Sequence, residues 1–252
     1  MERLRLWLIA GTKGRQPMPK NESVMKDNLN APPLNPLPAV VWLLALPIIA
    51  MEVVLGLGAR GLVGGAQGVG WRIDAIQRFA FSPDLMRDMI TTGQYPLAGL
   101  ARLITYSLVH GNFTHTAFVV VILLALGKMV GEVFRWWAVM AVFFGSAAVG
   151  AVVYAMIPDA QMALIGGYPA VYGLIGAFTF LLWVNLAAVG ANKFRAFTMI
   201  GFLLATQLVF GVIFGGGWDW VADIAGFATG FFLSFVVSPG GWARVRGKMR
   251  QR

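Results

Sequence analysis

Six long apolar stretches decide what this 252-residue chain can fold into: residues 37–57, 113–130, 136–156, 171–189, 197–215 and 221–237. Each approaches the ~20 residues that cross a hydrocarbon core, the last being short. Lipid offers no partner to a backbone N–H or C=O, so such spans must be helices. Only 12% of the residues are charged and 58% are hydrophobic, against roughly 25% charged in a soluble domain. The expected class is all-α: a polytopic membrane protein with six spanning helices.

Lysine and arginine placement sets the expected orientation. The first tail carries Arg3, Arg5, Lys13, Arg15, Lys20 and Lys26, and the last carries Arg244, Arg246, Lys248, Arg250 and Arg252 with no acid. The turns at Arg135 and at Lys193 and Arg195 are also basic, whereas those around Asp159 and Asp219 hold no basic residue. Both tails are therefore expected in the cytoplasm, which requires an even number of spans. The chain then divides into a flexible basic tail (1–36), a membrane domain (37–238) and a second basic tail (239–252), with Met18 and Met25 as alternative starts. The apolar run 6–10 is shorter than the ~7–15-residue core of a secretory signal.

The net charge of +9 comes largely from these tails and fits attraction to anionic membrane lipid. No nucleic-acid recognition motif accompanies it. Cysteine is absent, which excludes disulfides and zinc–thiolate sites. A composition rich in alanine, glycine and tryptophan, with a basic tail, points to a bacterial inner membrane.

The connection 58–109 is far longer than helix–helix connections usually are, so it is expected to have structure of its own. Gly61, Gly64 and Gly65 read as a flexible lead-in. Over 71–81 apolar residues alternate with Arg72, Asp74, Gln77 and Arg78, the pattern of a helix lying in the membrane interface.

Asp223 is the only ionisable residue of the last stretch. A carboxylate inside a span costs roughly 2.5–3.5 kcal/mol and marks a functional or paired site. It stands in Ala222-Asp223-x-x-Gly226-x-x-x-Gly230. The fourth stretch opens Gly166-Gly167-Tyr168-Pro169-Ala170-x-x-Gly173-x-x-Gly176-Ala177. The second opens His110-Gly111-Asn112-Phe113-Thr114-His115, which holds the only two histidines. The insertion ends Ala101-Arg102-Leu103-Ile104-Thr105. Small residues at these spacings let the fourth and sixth helices approach closely.

In this order, and over about residues 95–240, the motifs resemble those of the rhomboid intramembrane serine proteases. The family's last helix reads Ala-His-x-x-Gly-x-x-x-Gly, with the catalytic histidine at the place of Asp223. Its Gly-x-Ser-Gly-Ala-x-x-Gly-x-x-Gly-Ala segment puts Tyr168 at the nucleophilic serine and Pro169 at the following glycine. Its His-x-x-x-x-His-x-x-x-Asn pattern, whose second histidine and asparagine serve the oxyanion, is met by His110 and His115 but ends at Val119. Arg102 and Thr105 match Trp-Arg-x-x-Thr, with Ala101 for the tryptophan. Gly127 matches a further glycine. The glutamate expected four residues later is Gly131, and Lys128 and Glu132 are left to pair on the helix surface.

The resemblance implies a rhomboid-like six-helix bundle with the insertion half-embedded between helices 1 and 2. It also implies a polar cavity shared by His115, Tyr168 and Asp223, in which Tyr168 donates to Asp223. Nucleophile, base and one oxyanion donor are all replaced. A phenol with an ordinary pKa near ~10 needs a base, and a carboxylate is a poor one. Valine has no donor and Pro169 no N–H; losing one oxyanion donor costs ~10²–10³ in turnover. No catalytic residue is assigned.

The expected function is that of a pseudoprotease holding transmembrane helices of partner proteins in scaffolding, assembly or quality control. Gln207, Thr206 and Arg102 are the partner-binding candidates. His110, Gly166, Gly173, Gly226 and Gly230 are the structural ones. No cofactor is called for, and a metal at His115, Asp223 and His110 would need three ligands in good geometry. Proton-linked binding of a small polar ligand through Asp223 and His115 is a further option. The main alternative is an intramembrane peptidase with a non-standard nucleophile, taken from Ser107, Thr105 or Thr114. A transporter is disfavoured because no paired charges are evident within the spans.

Overall fold

The computed structural model describes residues 36–214 and 217–239; the two basic tails expected from the sequence lie outside these. Among the described residues the regular structure is all helical, with one isolated antiparallel bridge between Phe81 and Leu164. Five helices are long and apolar enough to cross a membrane: α1 (Ala39–Ala59), α6 (Phe113–Gly131), α7 (Trp136–Ala155), α8 (Tyr168–Ala188) and α10 (Asp219–Val237). The sixth expected span is α9 (Thr198–Phe214), a 17-residue helix. By length alone the described residues thus supply five spans, and α9 falls just short of that length. The protein is a multi-pass membrane protein.

α8 is the central post. Every residue from Pro169 to Ala177, and then Thr179 and Phe180, is buried. α7 and α10 close on it through small residues. A Cβ on Gly226 would collide with the Pro169 carbonyl, one on Gly230 with Gly173 backbone, and one on Gly176 with Phe227 backbone. On the α7 side, a Cβ on Gly173 would meet Ser146, and one on Gly150 would come 2.8 Å from the Ala222 carbonyl. Without a hydrophobic driving force in lipid, this close backbone packing is what binds such helices together. The glycine spacing expected to bring the fourth and sixth spans together has that use here.

The insertion is a docked layer, richer than the single interfacial helix read from the sequence. It holds α2 (Gly65–Gly68), α3 (Trp71–Phe79), α4 (Pro83–Thr92), α5 (Leu97–Thr105) and a 3₁₀ turn at Tyr106–Leu108. α4 starts where Ser82 accepts from the Leu85 N–H and proline fills the first helical position, a favourable start. Arg87 of α4 donates to the carbonyls of Ala155, Ile157 and Ala160. It thereby caps the Ala155 carbonyl at the C-terminal end of α7 and holds two carbonyls of the turn that follows. The paired backbone of Phe81 and Leu164 and the Tyr106 hydroxyl on the Ala147 carbonyl, at 2.8 Å, complete the attachment. Lys128 and Glu132 stand 4.0 Å apart at the surface end of α6, as their spacing suggests.

Gly230→Ala should destabilise the bundle by about 3 kcal/mol, the upper part of the usual overpacking range, because the added carbon meets backbone that cannot rotate away. Gly145→Ala, whose Cβ would meet only the Leu233 side chain at 3.6 Å, should be close to neutral. Equal melting temperatures for the two variants in detergent would contradict the packing account.

Candidate functional site

The N-terminal turn of α8 is where the motif residues converge. Gly166, at φ +89°, turns the chain into the helix. It could carry no side chain, because the His115 ring lies against its Cα. The next residue, Gly167, donates its N–H to His110 Nε2 at 3.1 Å, and a Cβ there would press on Val119 at 2.9 Å. Tyr168 is then the first residue of α8 and Pro169 sits in its first turn, where a missing N–H leaves no intrahelical bond unmade.

Three aromatic rings line up on this turn. Tyr168 stacks on His115 with centroids 4.9 Å apart and 17° between planes. His115 meets His110 edge to face at 5.0 Å. A cavity of about 500 Å³ opens beside them, lined by Asn112, Thr114, His115, Tyr168, Asp219 and Asp223 among others. The expected grouping of His115, Tyr168 and Asp223 around one cavity is present. Its wiring differs from expectation: the donor to Asp223 is Gln207 Nε2 of α9, at 2.8 Å, while Tyr168 is committed to the ring stack. Asp223 is only 4% exposed, so the amide lowers the cost of keeping a carboxylate there.

The remaining site candidates fall in two groups. Thr206 donates to the carbonyl one turn back, Phe202. Arg102 spans the insertion, donating to the carbonyls of Ala80 and Gln77. Among the candidate nucleophiles, the Ser107 hydroxyl is spent on the Ile104 carbonyl and Thr105 on Phe79; Thr114 is the one that lines the cavity. His115 Nε2 is buried without a hydrogen-bond partner. Among the described residues no group of three or more His, Asp or Glu side chains is placed to hold a metal ion.

Sequence reasoning passed over one charged residue. Glu52, in the middle of the apolar run of α1, is buried and takes both terminal nitrogens of Arg72, at 2.8 and 3.0 Å. The Thr116 hydroxyl donates to the same carboxylate at 2.8 Å, and Arg72 also reaches the His110 carbonyl at 2.8 Å. The expectation of no paired charges within the spans is thus corrected: the cation arrives from the insertion, 20 residues further along. A lone acid in an apolar run is the signal that marks Glu52 in the sequence. The network runs from α1 through Arg72 and His110 to the Gly167 amide just before Tyr168.

His110 is 2% exposed. Burial, and next the neighbouring His115 ring, push its imidazole down from 6.5 to about 4. It is therefore neutral at pH 7, as an acceptor for the Gly167 N–H must be. Between about 6.5 and about 4 the unfolded chain binds a proton that the folded one does not. Stability is consequently full above that window and falls as pH drops through it. His110→Gln, which keeps an acceptor but cannot titrate, should flatten this decline in thermal stability; parallel declines in the two proteins would refute the assignment.

A family model described as the Rhomboid domain matches residues 98–240, more than half of the chain. The chain is also similar to RHOMBOID-like protein 4 of Arabidopsis thaliana, with 28% identity over 136 residues, 54% of this chain and 34% of that protein. It thus spans about a third of that relative's length. The matched segment runs from α5 through α10 and takes in Arg102, both histidines, the α8 turn and Asp223, so the chain belongs to the rhomboid family.

Proposed function

We propose that this protein has exchanged rhomboid proteolysis for binding transmembrane helices of other membrane proteins, as a pseudoprotease acting in scaffolding, assembly or quality control. The observation that carries the reading is the occupancy of the α8 turn. Tyr168, stacked on His115, stands where the family's nucleophile belongs. The carboxylate opposite it is engaged by Gln207, and no serine is among the described residues lining the cavity. Val119, fully buried against Gly167, offers the oxyanion position a methyl group in place of a donor.

What remains is a polar cavity at the mouth of an apolar bundle. Gln207 Oε1 is buried without a partner, so the α9–α10 seam carries an acceptor that a visiting helix would satisfy. The orientation that goes with this proposal puts both basic tails in the cytoplasm, in a bacterial inner membrane, with the cavity on the opposite face. Arg102, Thr206 and Gln207 are the residues proposed to feel a partner, the first through the insertion that it braces.

A second reading keeps catalysis with a different nucleophile. Thr114 favours it, as the cavity-lining aliphatic hydroxyl on the same helical turn as His115. The neighbouring His115 Nε2, buried without a hydrogen-bond partner, is the candidate base for it.

Affinity purification from native membranes in mild detergent, read by mass spectrometry, tests the proposal. A stoichiometric membrane protein should accompany the native chain and be reduced at least severalfold with Asp223→Ala. Recovery of the chain alone, together with fluorophosphonate labelling that Thr114→Val abolishes, would replace the proposal with the peptidase reading.

A further inference from the structure

A second cavity, of about 550 Å³, lies away from the α8 turn, between α1 and α6. It follows from how these antiparallel helices meet. Near the start of α1 and the end of α6 they are in close contact: a Cβ on Gly127 would be 3.2 Å from Val41, and one on Gly131 3.1 Å from Pro38. Toward the end that carries the insertion they part. One side of α1 from Ile49 to Arg60 and one side of α6 from Phe113 to Val120 then form the walls of a groove. At 1.5 Å per residue it extends about 16 Å along α1.

The groove has two chemistries. Ile49, Val53, Ala117 and Val120 make it apolar along its length, and Gly56 leaves one wall low. Arg60 and Asn112, at the ends of the two helices, give it a polar rim, and the Glu52–Arg72 pair is set into its wall further along α1. Glu52 is already matched by Arg72 and Thr116, so the mouth carries one net positive charge, that of Arg60. The Arg60 side chain is exposed and makes no hydrogen bond or ion pair among the described residues. Lipid-facing apolar walls below a cationic, hydrogen-bonding rim match a lipid acyl chain below an anionic headgroup, and the volume lies within the range of ligand pockets.

We propose that this groove is a binding site for one anionic phospholipid, an acyl chain lying between α1 and α6 and the headgroup phosphate at Arg60 and Asn112. Its role is to fill the wedge beside the Glu52–Arg72–Thr116 pairs, so that the insertion and the start of α6 stay joined to α1. The groove shares Asn112, but no other lining residue, with the cavity assigned to partner helices, and the proposal does not rest on that reading.

The test uses the full chain in mild detergent, read by native mass spectrometry with added phosphatidylglycerol, phosphatidylcholine or glycerol 3-phosphate. One phosphatidylglycerol per chain should be retained, with phosphatidylcholine weaker by about fivefold, the worth of one surface cation. Glycerol 3-phosphate should not compete. Arg60→Ala should remove the preference for the anionic lipid while leaving phosphatidylcholine binding in place. Gly56→Leu should abolish retention of both lipids by filling the groove. Its new Cβ meets only Glu52 Oε1, at 3.8 Å, so the fold should tolerate it; should its melting curve show otherwise, Ala117→Leu on the opposite wall makes the same test. Retention unchanged by the groove-filling variant would overturn the proposal. So would displacement by glycerol 3-phosphate alone, or loss of a co-purifying protein with the lipid still bound.

Discussion

Backbone meeting backbone between α8 and α10 is the contact on which the rest of this bundle depends. Gly226 and Gly230 lie on the Pro169 and Gly173 main chain, and Gly176 lies on Phe227. In lipid, helices gain little from burying one apolar surface against another, and dispersion at short range must hold them. That contact fixes the two positions that matter most to function. Tyr168 begins the helix on one side of the seam, and Asp223 begins the facing stripe of small residues on the other. The geometry of a rhomboid site can therefore survive whatever occupies its two key positions.

A second layer of organisation is electrostatic. Two carboxylates are buried in spans, and each is satisfied from a different element: Glu52 by Arg72 of the insertion, Asp223 by Gln207 of α9. Removing one partner of a buried ion pair is strongly destabilising, because the other charge is left without its counterpart. The Glu52–Arg72 ion pair therefore ties the insertion to α1, and the Gln207–Asp223 hydrogen bond ties α9 to α10, in places where apolar packing alone would allow them to drift. His110 links the first of them to the α8 turn, taking the Gly167 amide on its ring nitrogen and offering its carbonyl to Arg72. Burial keeps that ring neutral, and the turn is accordingly held by a hydrogen bond rather than by a charge.

Much of this was legible in the residues. The spans are set by hydropathy, and their observed ends fall within about three residues of those expected, with Pro38, Arg60, Glu132, Arg135 and Gly167 marking several of them. The glycine spacing foretold which helices touch. The Ser82-Pro83 signal that starts α4 was passed over, because the alternating pattern before it drew the reading to a single helix. Tertiary wiring was harder. Asp223 stood out, but its partner Gln207 lies one helix away, and a sequence does not say which of several polar groups turns towards it. Glu52 was passed over because its cation sits outside the span. Arg87 reads as an ordinary surface arginine until the C-terminal carbonyls of α7 are seen beside it.

The central claim is that the former catalytic turn now faces other membrane helices. The most direct measurement places a photo-crosslinking phenylalanine derivative at position 168, where an aromatic ring already stands, and irradiates native membranes. Covalent adducts mapping to the spanning segment of one or a few membrane proteins are the predicted result. Adducts to lipid alone, with the variant as stable as the native chain, would contradict the account.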